Sequence, residues 1–407
     1  MRRLALVTFV LALLGAACGG SENPAVEGGS DTTTAAPSGS AYTVNLDGKT
    51  DAFNGEFGSF FPSALTVKPG DTVKFALPRF SGVPHTVTLG TLVDKAVAKI
   101  EQLGPQASIE AQETSAEVLN LPDLFPHESP KSGPPDANQS AAQPCFLDTG
   151  VPPLSLSGSA PACPKRDQPE FDGTQAFYNS GMLGADGDSF TVKVADSTKP
   201  GVYSMICLIH RGVMTGKVTV ADAGATVPTP EDVRAKGSQE LDAIVQGLTP
   251  VAAATLKATP DKAVMGAGDP KYFSTTIAQF GPMSASVPVG GSVTWNVFGF
   301  HSLTFGAADS DVVLVSKSPD GAVHLSPKAA PAGFNVPAAL GDFPPPANSK
   351  PVAVNLGSYD GSGFKSTGVI GSLPPRLVSL KLTFTKAGTY PIRCVIHPDM
   401  KGEVKVG

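Results

Sequence analysis

Histidine, cysteine and tryptophan are scarce in this chain of 407 residues, which has six, five and one of them. Basic residues form no long cluster and the net charge is -6, so a phosphate backbone finds nothing to attract it and nucleic acid is excluded as a partner. The acidic residues show no paired spacing of the kind that general acid and base catalysis uses. The apolar run Leu4 to Ala17 is shorter than the ~20 residues a membrane-spanning helix needs. Behind Arg2 and Arg3 it reads as a signal peptide over residues 1–17.

Glycine and proline are plentiful, at 44 and 38 residues, and they punctuate short runs of Val, Thr, Ile and Phe. That pattern favours strands joined by turns, and the length suits two domains, so an all-β protein is expected. Comparing the chain with itself supports the count. Gly201 to Val218 lines up with Gly388 to Val404, matching Tyr203 to Tyr390, Cys207 to Cys394, His210 to His397 and Gly216 to Gly402, with a single one-residue gap. Upstream, Ala64 to Phe75 echoes Ala285 to Trp295, each a strand, turn and strand, leading to His85 and His301 respectively. Between the repeats, Thr229-Pro230-Glu231-Asp232 opens a short linker helix running through Leu248, with an N-cap, proline at the first position and early acids. The expected boundaries are a tether at 18–41, one domain at 42–222, a linker at 223–267 and a second domain at 268–407. Long Pro-, Ala-, Ser- and Gly-rich inserts separate each first histidine from its cysteine segment, and a helix is expected at Thr91 to Leu103.

Two imidazoles, a thiolate and a weak axial thioether form the donor set of mononuclear electron-transfer copper. Both repeats supply it: His85, Cys207, His210 and Met214 in the first, His301, Cys394, His397 and Met400 in the second. Three ligands on one loop, with a fourth from another strand, limit how far such a site reorganises when its charge changes. The segment Cys394-Val-Ile-His397-Pro398-Asp-Met400-Lys-Gly402 resembles the plastocyanin-like and amicyanin-like members of the cupredoxin family. That resemblance implies two Greek-key β-sandwiches, one type 1 copper in each, and electron passage through His210 and His397. The chain departs from the family in having Thr86 and Ser302 where an Asn commonly follows the first histidine. Its first loop also has one residue more between His210 and Met214 than the second has between His397 and Met400.

Leu14-Gly15-Ala16-Ala17-Cys18 resembles a bacterial lipoprotein processing site, which implies a lipid on Cys18 and a protein held at the outer face of the membrane. Gly15 stands where that family has Leu, Val or Ile, and cleavage without lipid would give a secreted or periplasmic protein; both readings stand. In an oxidising compartment Cys145 and Cys163 are expected to form a disulfide. The leading function is electron transfer, with another redox protein or a membrane electron-transfer complex as partner, and the chain is not expected to be an enzyme. Extracytoplasmic copper capture or delivery is the alternative. In nitrite reductases and laccases, histidines adjoining the cysteine help bind further copper, but here Ile206 and Arg393 hold those places. Only His127 and His324 then remain, and both are expected in solvent-exposed inserts.

Overall fold

The computed structural model describes residues 39–103, 168–317, 323–337, 340 and 349–407. They form two β-sandwiches. In the first, the strands Phe60–Phe61, Ala41–Leu46, Thr72–Ala76 and Ser189–Lys193 make one sheet in that order. Ala64–Val67, Arg211–Val220, Gly201–Cys207, Thr88–Leu89 and Tyr178–Asn179 make the other. Alternate residues of Ala41–Leu46 and Ser189–Lys193 are buried, the two-residue period of a strand with one face on a core. That core gathers Val44, Phe75 and Phe190 from one sheet and Val67, Met205 and Val218 from the other.

The second sandwich repeats the plan. Its larger sheet holds Val352–Tyr359, Val378–Phe384, Ser292–Val297, Ala263–Ala267 and Thr275–Gly281. Its smaller sheet holds Ser284–Val287, Lys401–Val406, Gly388–Arg393, Thr304–Phe305 and Lys365–Ser366. Trp295, Phe280, Leu380 and Phe384 fill the space between them. The register shows that the halves are the same structure twice. Val44 pairs in parallel with Phe75 as Ala263 does with Trp295, and Leu65 pairs in parallel with Val218 as Ala285 does with Val404. Each such parallel pair requires the chain to cross over between its two strands.

A strand and a helix join the halves. Gly55–Phe57, which precedes most of the first sandwich in sequence, adds an edge strand to the larger sheet of the second, with Glu56 opposite Thr276. The helix Pro230–Leu256 starts with the expected N-cap at Thr229, which forms a capping box with Asp232. It is longer than expected, continuing past Pro250 to Leu256. Proline favours a stop at the preceding residue, but Leu248 and Ala252 are buried against Phe53, Phe57, Phe61 and Ile277 and hold the last turns in helical path. A second helix, Thr91–Gln102, forms where expected and packs Val93, Val97 and Ile100 against Ile206.

Candidate metal centre

In the first sandwich Cys207 ends the strand Gly201–Cys207, His210 sits in the turn that follows, and His85 is held by paired backbone hydrogen bonds with Leu183. One ligand atom from each of the three falls within 4.8 Å of the others. The ladder slips between Arg211 and Thr215, and this irregularity absorbs the extra loop residue. It brings Met214 Sδ to 3.3 Å from His85 Nδ1. The second sandwich assembles His301, Cys394 and His397 in the same way, with the two Nδ1 atoms 3.2 Å apart and Cys394 Sγ 3.5 Å from His397 Nδ1. Here the loop is closed by Met400 N–H donating to His397 O and Cys394 N–H donating to Met400 O. Met400 itself is buried in the core.

Thr86 and Ser302 have a shared role that the sequence comparison did not show. Their backbone N–H groups donate to Cys207 Sγ and Cys394 Sγ, each at 3.3 Å. Their hydroxyls accept from Leu208 N–H and Val395 N–H, each at 2.8 Å, which locks the histidine strand to the cysteine loop. Burial alone would raise both cysteine thiols, but the neighbouring histidines outweigh it and hold them well below the usual thiol range. The histidines thus favour the thiolate form of both cysteines. For His397, burial acts to lower its affinity for a proton, yet the Cys394 thiolate and then Glu56 push its pKa up to about 10.

Two carboxylates that sequence reasoning missed complete these surroundings. Asp47 is 1 % exposed; its Oδ1 accepts from Gly48 N–H at 2.7 Å and Phe57 N–H at 2.8 Å, and its Oδ2 faces His85 Nε2 at 3.4 Å. Glu56 lies between the two sites. Its Oε1 accepts from His210 Nε2 at 2.7 Å and its Oε2 from His397 Nε2 at 3.1 Å. Burial would raise the Glu56 carboxyl, but its two histidine partners hold it well below the usual carboxylate range. His301 Nε2 is different: it is buried with no hydrogen-bond partner among the described residues. It packs over Gly266, where a Cβ would come within 2.0 Å of it. The ladders make Asp47 and Gly266 equivalent, each three residues beyond Val44 and Ala263, and both have left-handed backbone, with φ of 62° and 78°.

A thiolate with two imidazoles is a soft donor set of the kind that selects copper over hard cations, and a thioether beside the first group adds to it. Both groups fit copper on this chemistry. They are also shielded: the side chains of His210 and His397 are only 13 % and 3 % exposed, with their Nε2 atoms turned to Glu56. An apolar cavity of about 260 Å³ opens beside Glu56 and His210, lined from both halves by Val83, Phe273, Phe298 and Ile396.

Cys18, Cys145, Cys163 and His127 lie outside the described residues. His324 lies in the strand Val323–Leu325, away from both groups in sequence. No helix among the described residues is long and apolar enough to cross a membrane. No family model and no curated protein matches the chain. Among solved structures it is similar to a dithionite-reduced auracyanin from Roseiflexus castenholzii, at 17% identity and TM-score 0.21, covering 45% of this chain and 97% of that one. It is similar also to auracyanin A, a "blue" copper protein from Chloroflexus aurantiacus, at 15% identity and TM-score 0.21, covering 44% and 98%. Blue copper oxidase from Nitrosomonas europaea matches at 10% identity and TM-score 0.19, covering 90% of this chain and 85% of that one.

Proposed function

We propose that this chain is an exported two-copper electron carrier. One copper would be held by His85, Cys207, His210 and Met214, the other by His301, Cys394, His397 and Met400. The observation that carries this reading is the repetition, in two sandwiches of one design, of a buried His–Cys–His group whose sulfur receives a backbone N–H. Copper in such a set supplies one-electron chemistry between Cu(II) and Cu(I). The protein contributes rigidity: Thr86 and Ser302 fix the cysteine loops, the backbone bridge to Leu183 fixes His85 and the strand Gly299–His301 fixes His301, so the ligands need not move when the charge changes. Burial of the ligands favours a carrier over delivery, which requires an ion to leave. An enzyme is disfavoured by Ile206 and Arg393 beside the cysteines. The partner would be a redox protein or membrane complex outside the cytoplasm, with Cys18 as the anchor.

A copper titration of the purified residues 39–407, followed by visible absorption and metal analysis, tests this. The expected result is an intense thiolate-to-copper band saturating at two coppers per chain, with one copper and its share of the band lost in Cys207→Ala and again in Cys394→Ala. A colourless protein, or a band indifferent to either substitution, would overturn it.

A further inference from the structure

Electron exchange between two buried centres depends on what fills the space between them, since bonds and hydrogen bonds transmit electronic coupling better than gaps do. In this chain one side chain, Glu56, reaches a histidine of each group. Glu56 stands on the strand Gly55–Phe57, which leaves its own sandwich to pair with Thr275–Ile277 of the other, and so belongs structurally to both halves. Its two oxygens each take an N–H, one from His210 and one from His397. With Nδ1 of each ring turned towards its cysteine sulfur, at 3.4 and 3.5 Å, Nε2 is the nitrogen free to donate. A continuous path results: Cys207, His210, Glu56, His397, Cys394. It is enclosed, the Glu56 side chain being 14 % exposed. The seam is pinned on either side by Gly58 N–H donating to Ser274 O at 2.7 Å, by Ser59 Oγ against Ser274 Oγ at 3.0 Å, and by the Arg79–Asp399 ion pair.

We propose that Glu56 joins the two metal centres into one redox unit, bridging His210 to His397 so that an electron arriving at either centre equilibrates with the other inside the chain. This rests on the reading that both groups hold copper. The balance is simple: one centre is oxidised by one electron as the other is reduced by one, no covalent bond forms or breaks, and both Nε2 protons stay on their imidazoles. The unit is also polarised. The Asp47 carboxylate behind His85 favours the more highly charged oxidised state in the first site, whereas Gly266 gives His301 no such partner. The shared electron therefore resides mainly in the second site.

The test uses the full copper-loaded chain, Glu56→Gln and Glu56→Leu, with Cys207→Ala and Cys394→Ala supplying the spectra of the single sites. Gln keeps the size but accepts only one of the two N–H groups; Leu accepts neither. After a pulse of reductant delivering less than one electron per chain, the intersite relaxation rate is read from the two bands. The expected result is a fall of about tenfold to a hundredfold in Glu56→Leu and a smaller fall in Glu56→Gln, with two coppers still bound. In the diamagnetic Cu(I) protein, two slowly exchanging imidazole N–H resonances should be present; both should be lost in Glu56→Leu and one in Glu56→Gln. Equal relaxation rates and unchanged N–H resonances in wild type and Glu56→Gln would overturn the bridge while leaving the carrier reading intact. A wild-type chain that binds fewer than two coppers would instead overturn the reading beneath it.

Discussion

Asp47→Ala will destabilise the chain by about 3–5 kcal/mol and abolish the first site's absorption band while the second site's band survives. Three buried donors converge on this carboxylate, from Gly48, Phe57 and His85, and alanine offers none of them an acceptor. A stranded buried donor costs about 1–3 kcal/mol. The backbone adds to the loss, because φ of 62° suits Gly, Asn or Asp and strains alanine. Two further variants separate these effects. Asp47→Asn keeps the left-handed preference and one oxygen for the Gly48 and Phe57 amides, so it should fold and bind copper with a smaller loss. Without the negative charge, its first site should become easier to reduce and approach the second in potential. Asp47→Gly reproduces the arrangement at Gly266 and should shift the potential in the same direction at a greater cost in stability. Denaturant unfolding followed by circular dichroism, with redox titration of each band, checks all three. An unchanged unfolding midpoint in Asp47→Ala would show that the carboxylate does not hold the site together.

The two His–Cys–His groups were legible in the sequence because rare residue types stand at fixed spacing, and because Cys207 and His210 recur as Cys394 and His397. The sandwiches were legible for a related reason: strands such as Thr72–Ala76 and Ser292–Val297 carry their burial pattern in two-residue alternation. Asp47 and Glu56 carry no such mark. An acid beside glycine or phenylalanine is ordinary, and what makes Glu56 special is the pairing of its strand with Thr276, a contact between segments far apart in sequence. The contrast of Asp47 with Gly266 likewise emerges only from the ladders, since the repeat visible in the sequence begins downstream, at Ala64. The linker helix divides similarly. Its cap is written locally in Thr229-Pro230-Glu231-Asp232, whereas its persistence through Pro250 depends on Leu248 and Ala252 finding Phe57 and Ile277. Thr86 and Ser302 were noticed as departures from a family pattern. Their hydroxyls bind the next loop directly, tying each histidine segment to its cysteine loop, a contact that their residue types alone do not reveal.

Gly82→Ala will open the seam between the sandwiches, costing about 2–4 kcal/mol and slowing exchange between the sites even though Glu56 is untouched. A Cβ at Gly82 would lie 1.7 Å from Ile396 O and 2.9 Å from Pro398 Cδ, and the φ of 117° is strained for any residue with a side chain. The obstacle is backbone, which cannot swing aside as a flexible side chain would. Its location gives the clash its consequence: Ile396 immediately precedes His397, and Gly82 lies three residues before His85. Relief of the overlap must move one of these loops away from the other, lengthening the hydrogen bonds from His210 or His397 to Glu56. Gly224→Ala is the control, since a Cβ there meets no atom within 4 Å, and it should change stability by no more than about 0.5 kcal/mol. If Gly82→Ala retains two coppers but relaxes more slowly between them, the coupling depends on how closely the halves are held as well as on the bridging carboxylate. If it relaxes at the wild-type rate despite the lost stability, the Glu56 bridge tolerates movement at the seam and the coupling does not depend on how closely the halves are held.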